Sequence, residues 1–170
     1  MAAIGGPLSK ERQLALLKCG AERWNVFRRE YSGHIVLYYA SLEAVQLAGA
    51  DLHCVLLPES NLREANLAGA ILERAILRKS DFRGTDFRRA VLDGADLCRA
   101  DLSGADLRGA SMASTFLKKT NLAGADLSTA CGLTAAQIGE AYGDDLTRLP
   151  GGFARPASWT TTMRLVRAVG

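Results

Sequence analysis

Through the middle of this chain a large apolar residue recurs at every fifth position, and no ordinary secondary structure can use that spacing. Read from Ala40 in fives, the sequence runs ASLEA, VQLAG, ADLHC, VLLPE, SNLRE and onward to ADLST, 18 blocks without a gap, ending at Thr129. The third residue is Leu in fifteen blocks, with Phe82, Phe87 and Met112 in the others. The first is Ala in eleven and otherwise Val, Ser or Thr; the second is Asp or Asn in ten; the fifth is Gly in seven. On an α-helix a step of five residues turns about 500°, which would spread the leucines around every side. On a flat strand the same step alternates faces and would put half of them in water.

The pattern is consistent if the chain turns a corner every five residues, so that four corners close one coil of 20. The large third and small first residues then point inward, and leucines of successive coils stack. The Asp or Asn bonds to local backbone at its turn. Gly at the end of a block tolerates backbone angles that other residues avoid.

The A(D/N)LXX blocks resemble the pentapeptide-repeat family. The resemblance covers residues 40–129 directly, and residues 35–39 (IVLYY) add one degenerate block centred on Leu37. It implies an all-β solenoid, a right-handed quadrilateral β-helix; the handedness is the family's. Eighteen blocks make 4.5 coils, a tower of roughly 20 Å at the spacing of paired strands. Its end coils need covers for unpaired backbone and open core.

Three regions follow: 1–34 as an N-terminal cap, 35–129 as the β-helix, and 130–170 as a C-terminal cap helix and tail. Residues 9–31 read as one amphipathic helix with Ser9 as N-cap, its apolar face formed by Leu14, Leu17, Ala21, Trp24, Phe27 and Tyr31. After Thr129, Gly132 breaks the repeat. Thr134 to Tyr142 reads as a short helix, with Thr134 and Gln137 in capping-box spacing and Gly143 ending it. Residues 150–158 read as loop. Trp159, Met163, Leu165 and Val166 make the last twelve residues too apolar for a solvated tail.

Every fourth block shares a face, so the second positions map the surface. The first face carries Ser41, Asn61, Asp81, Asp101 and Asn121, and the second Gln46, Asn66, Asp86, Asp106 and Asp126. The third carries Asp51, Ile71, Val91 and Ser111, and the fourth Leu56, Ile76, Asp96 and Phe116. Leu56, Ile71, Ile76, Val91 and Phe116 are thus five apolar residues at positions the repeat turns outward, a candidate packing surface. The expected occupant is the segment Trp159 to Val166 folded back, with a homodimer interface and relaxed selection with no partner as the alternatives. The fourth face also carries a candidate cationic stripe of Arg78, Lys79, Arg99, Lys118 and Lys119, with a solvated surface or an acidic partner as its two readings.

Charge gives little direction. Residues 1–34 hold six Lys/Arg and three Asp/Glu, residues 35–129 eleven and twelve, and residues 130–170 four and three, which sums to +3. No segment is basic enough to imply nucleic acid or a membrane surface. No run has signal-peptide or transmembrane length, so a cytoplasmic location is the default. Cys19, Cys54, Cys98 and Cys131 form no CxxC pair and read as free thiols. His34 and His53 have no neighbours in sequence that would make a nucleophile–base pair or a metal set. The glycines repeat at five and not in a phosphate-loop pattern. No catalytic residue, metal or cofactor is expected. The reading is a non-catalytic scaffold for protein–protein interaction. An alternative comes from the resemblance, because some members of the family mimic duplex DNA, bind type II topoisomerases and confer quinolone resistance. That role needs a densely negative tower, whereas this one is near neutral.

Overall fold

A computed structural model describes residues 8–159. Its spine is a stack of coils. Parallel backbone bridges join residues twenty apart, Ser41 to Asn61 to Asp81 to Asp101 to Asn121 on the first face and likewise on the other three. Each face has room for one short bridge before the next corner. The two residues after each core leucine form a turn, and its second residue is left-handed at every block end from Tyr39 to Gly124, with φ between 53° and 71°. Glycine is suited to that conformation, yet eleven non-glycine residues adopt it here. Such residues cost about 1–2 kcal/mol each relative to ordinary helical geometry, so the stacked coils hold them there.

Inside, the third-position residues from Leu37 to Leu127 are buried without exception. Phe82 and Phe87 fill one level with their rings tilted at 58° and 5.2 Å apart. Where the first position is Ser or Thr, burial would orphan a hydroxyl. Ser80, Thr85, Thr115 and Thr120 instead donate to core-residue carbonyls of the preceding coil, those of Leu57, Leu62, Leu92 and Leu97, at 2.7–2.9 Å.

The N-terminal cap differs from the single helix expected over 9–31. It is two helices, α1 (Lys10–Lys18) and α2 (Ala21–Glu30). Gly20 sits between them at φ 95°, outside helical geometry, so the chain bends there. Ser9 caps α1 as expected. The apolar face survives the break, with Leu17 and Trp24 fully buried and Leu14, Ala21, Phe27 and Tyr31 packed against the core.

Polar side chains of this cap stand in for a missing coil. Gln13 Oε1 accepts the Val36 N–H at 3.4 Å, and Asn25 Oδ1 accepts the Asp51 N–H at 2.7 Å. Trp24 Nε1 donates to the Asp51 carbonyl at 2.6 Å, and Lys10 Nζ to that of Tyr38 at 2.6 Å.

At the other end the ladder does not stop at Thr129. Cys131 pairs with Ser111, and α3 (Ala135–Glu140) then crosses the fourth face, its N-terminus closed by the Thr134–Gln137 capping box. Beyond it Tyr142 pairs with Asn121 and Arg148 with Asp126, so the first and second faces each gain a rung. Thr147 is buried, and its hydroxyl donates to the Leu122 carbonyl at 2.9 Å, as a first-position Thr does. Gly143 does not terminate α3, which already ends at its C-cap Ala141. Gly143 instead leaves space for the Trp159 ring.

Candidate interaction faces

The faces differ because their second positions differ. All ten Asp and Asn residues there accept the backbone N–H two residues on, at 2.9–3.2 Å. The carboxylates are therefore turn-formers first. On the first and second faces they are also paired laterally. Arg83 forks onto Asp81, Arg88 onto Asp86 and Arg108 onto Asp106, with shortest contacts of 2.5–2.7 Å. Those side-chain bonds hold Asp81, Asp86 and Asp106 below the usual carboxylate range in spite of partial burial. Arg148 approaches Asp126 at 3.6 Å. The acidic ladder is neutralised along most of its length.

The fourth face is different. Val36, Leu56 and Ile76 stack in register and are half-buried. Asp96 follows at 5% exposure, ion-paired to Arg78 and bonded to the Cys98 N–H. Burial pushes the Asp96 carboxyl up, but the bonds from Cys98 and Arg78 outweigh it and hold the group low. Burial, with Asp96 beside it, pushes the Cys98 thiol up. The top rung is Phe116, 56% exposed. On the third face Ile71 is 41% exposed and Val91 is half-buried. The five apolar residues thus lie on two adjoining faces as their spacing requires, with Leu56 and Ile76 in one short column, Ile71 and Val91 in another, and Phe116 apart from both beyond Asp96.

Val36 extends the fourth-face column downward, the exposed Tyr38 stands in the turn two residues on, and the sequence reading names neither. The signal was available, since centring the degenerate block on Leu37 puts Val36 in the second position.

The cationic stripe is partly spent. Arg78 pairs with Asp96 and Lys79 with Glu59, the latter at 2.9 Å. Arg99, Lys118 and Lys119 have no ion pair among the described residues.

Trp159 does not lie on the apolar columns. It is buried at the C-terminal end of the tower, where its Nε1 donates to the Ala141 carbonyl at 2.9 Å. Ala141 is the first residue of its block, so the indole takes the bond a further coil would have supplied. Met163, Leu165 and Val166 lie outside the described residues.

One polar cluster joins cap and tower. Asp51 Oδ1 lies 2.6 Å from His53 Nδ1, and Arg28 Nη2 lies 3.1 Å from the same ring and donates to the His53 carbonyl. Burial pushes the Asp51 carboxyl up, and its bonds from His53 outweigh that. The cluster ties α2 to the third face. Among the described residues no group of three or more His, Cys, Asp or Glu side chains could hold a metal ion. No helix among them is long and apolar enough to cross a membrane. Cys19, Cys54 and Cys131 are exposed, and Cys98 half-buried.

A coil of twenty residues closed by four turns, with a leucine core and an Asx ladder, defines a parallel β-helix of the pentapeptide type. The description "Pentapeptide repeats" matches eight copies across residues 40–128, just over half of the 170 residues, and the chain belongs to the pentapeptide-repeat family. Among solved structures it is similar to Rfr23, a pentapeptide repeat protein from the cyanobacterium Cyanothece 51142, at 25% identity and a TM-score of 0.53, over 74% of this chain and 97% of that one. It is also similar to a pentapeptide repeat protein of the Arabidopsis thaliana thylakoid lumen, at 25% identity and a TM-score of 0.34, over 79% and 80% of the two chains. QnrB1, a plasmid-mediated fluoroquinolone resistance protein, matches at 13% identity and a TM-score of 0.27, over 79% and 86%. The last two scores are too low to bear on architecture or function. No curated protein matches the chain significantly.

Proposed function

We propose that this protein is a rigid, non-catalytic scaffold that binds another protein through its fourth face. The observation that carries the reading is the replacement of the Asx ladder there by Val36, Leu56 and Ile76, while the first and second faces keep a polar residue at every sequence-assigned rung. An outward apolar column gives the coil no turn bond, and its half-buried side chains stabilise the fold only by what they cover of one another. Contiguous apolar surface of this kind commonly marks an interaction site. The DNA-mimic alternative would rest on the acidic ladders of the first and second faces, and in those ladders Asp81, Asp86 and Asp106 are engaged by Arg83, Arg88 and Arg108.

The test uses substitutions that restore the repeat. Leu56→Asn with Ile76→Asn supplies the family's own turn residue and should leave the fold intact. Affinity capture with the parent protein should retain a partner that this variant loses, while Asn61→Ser on the first face keeps it. Identical captures from parent and fourth-face variant would remove the proposal. A DNA gyrase supercoiling assay addresses the alternative, and inhibition at low protein concentration would revive it.

A further inference from the structure

We infer that the upper part of the fourth face is built for an acidic protein segment carrying an apolar side chain; this rests on the scaffold reading above and names the partner's chemistry. Phe116 occupies the top second position of that face, at the level where the adjoining first face carries Asn121, and it is 56% exposed. Lys118 and Lys119 form the turn of the same block. Arg99 lies one rung below Lys119, about 4.8 Å at the usual ladder spacing. Three cations without an ion pair among the described residues therefore share the upper end of this face with one exposed aromatic side chain.

Two carboxylates of this face are already taken. Asp96 holds Arg78, and Glu59 holds Lys79. Glu140 comes close through its backbone, its carbonyl accepting the Lys119 N–H at 2.8 Å, but its side chain makes no ion pair among the described residues. Residues 1–7 and 160–170 contain no Asp or Glu.

Stacking like charges on adjacent rungs is unfavourable, and nothing in the coil's hydrogen bonding requires it. A second copy of the same face would bring the same cations together, which argues against self-association here. A nucleic acid would meet a single aromatic and no continuous basic groove, where single-strand binders combine a basic track with successive stacking rings. An acidic segment with one apolar anchor satisfies both the cations and the ring.

The probe is a fluorescently labelled glutamate–tyrosine copolymer, compared by anisotropy with polyglutamate and with a short DNA duplex. The parent protein should bind the copolymer more tightly than either, with affinity falling steeply as salt rises. Changing Arg99, Lys118 and Lys119 to Gln should weaken that binding by about tenfold or more, the scale of losing several partly exposed charge contacts. Phe116→Asn, which restores the ladder residue and so keeps the fold, should weaken the copolymer while leaving polyglutamate unchanged. Equal copolymer binding by the parent and the Gln variant, or duplex binding as tight as the copolymer, overturns the inference. The Leu56 and Ile76 capture experiment reads separately. A partner lost there, with no copolymer discrimination here, leaves the scaffold standing and removes the acidic partner.

Discussion

The two ends of the tower solve one problem by different means. At each, a coil presents backbone groups with no further coil to pair them. At the N-terminal end the solution is foreign to the repeat, with two helices whose Gln13, Trp24 and Asn25 side chains imitate ladder partners. At the C-terminal end the chain first continues the repeat in disguise, with Tyr142 and Arg148 taking real rungs. What both ends share is a tryptophan. Trp24 and Trp159 are the chain's two tryptophans, both are buried, and each gives its indole N–H to a coil carbonyl. An indole suits this place because one face can seal a leucine core while the N–H satisfies an edge. A solenoid end therefore needs apolar area and a donor together.

The largest expected effect comes from removing those rings. Trp24→Ala and Trp159→Ala should each cost about 3–5 kcal/mol, the range for deleting a buried aromatic, read as a fall in urea midpoint. Their Phe counterparts should lose less, the remainder reflecting the orphaned carbonyl at about 1–3 kcal/mol. If Trp159→Ala costs nothing, the C-terminal end is sealed by its extra rungs alone and the parallel between the ends fails.

Next in size is Gly143→Ala. A Cβ there meets the Trp159 ring, so the ring must move, and overpacking of this kind costs about 1–3 kcal/mol. The shift should appear in tryptophan fluorescence as well as in the melting temperature. An unchanged emission spectrum would mean that the ring is not seated against Gly143.

Acid should separate the ends from the tower's flanks. Asp81, Asp86 and Asp106 titrate below their unfolded values because Arg83, Arg88 and Arg108 bond to them. Their contribution is then fully present above the unfolded carboxylate pKa of about 3.9 and is lost as pH falls through the lower folded values. Stability should be flat from pH 7 to about 5 and decline below about 4. Asp86→Asn with Asp106→Asn should flatten that decline, since Asn keeps the turn bond but cannot titrate. An unaltered acid profile would show that these pairs contribute no stability.

The smallest effect concerns the left-handed turn residues. Glu64→Gly should stabilise the protein by up to about 1 kcal/mol, the balance of relieved left-handed strain against added unfolded-state entropy. Glu64 has φ 55°. Destabilisation would mean that the Glu64 side chain contributes more than its backbone geometry costs.

The tower was readable because its code is local. A leucine every five residues has one geometric solution, and the Asx at the second position states its own hydrogen bond. The same regularity assigned Leu56, Ile76 and Phe116 to one face before any coordinates, and placed Arg78, Lys79, Arg99, Lys118 and Lys119 beside them. Where the code is broken, the period no longer locates a rung. Tyr142 and Arg148 sit 21 and 22 residues after their partners instead of 20, so counting by fives misses them, although TRLPG has a Thr first and a Leu third. The break at Gly20 was missed because the apolar spacing continues across it.

Sequence alone therefore determined the coil, its core and the identity of each face, because those follow from period and residue size. Tertiary structure alone decided how the ends close, which cations of the fourth face are already paired and where Trp159 goes. Those outcomes depend on contacts between residues 18 to 27 positions apart, such as Arg78 with Asp96, Trp159 with Ala141 and Trp24 with Asp51. No local pattern encodes such pairs, since each exists only once the coils have stacked.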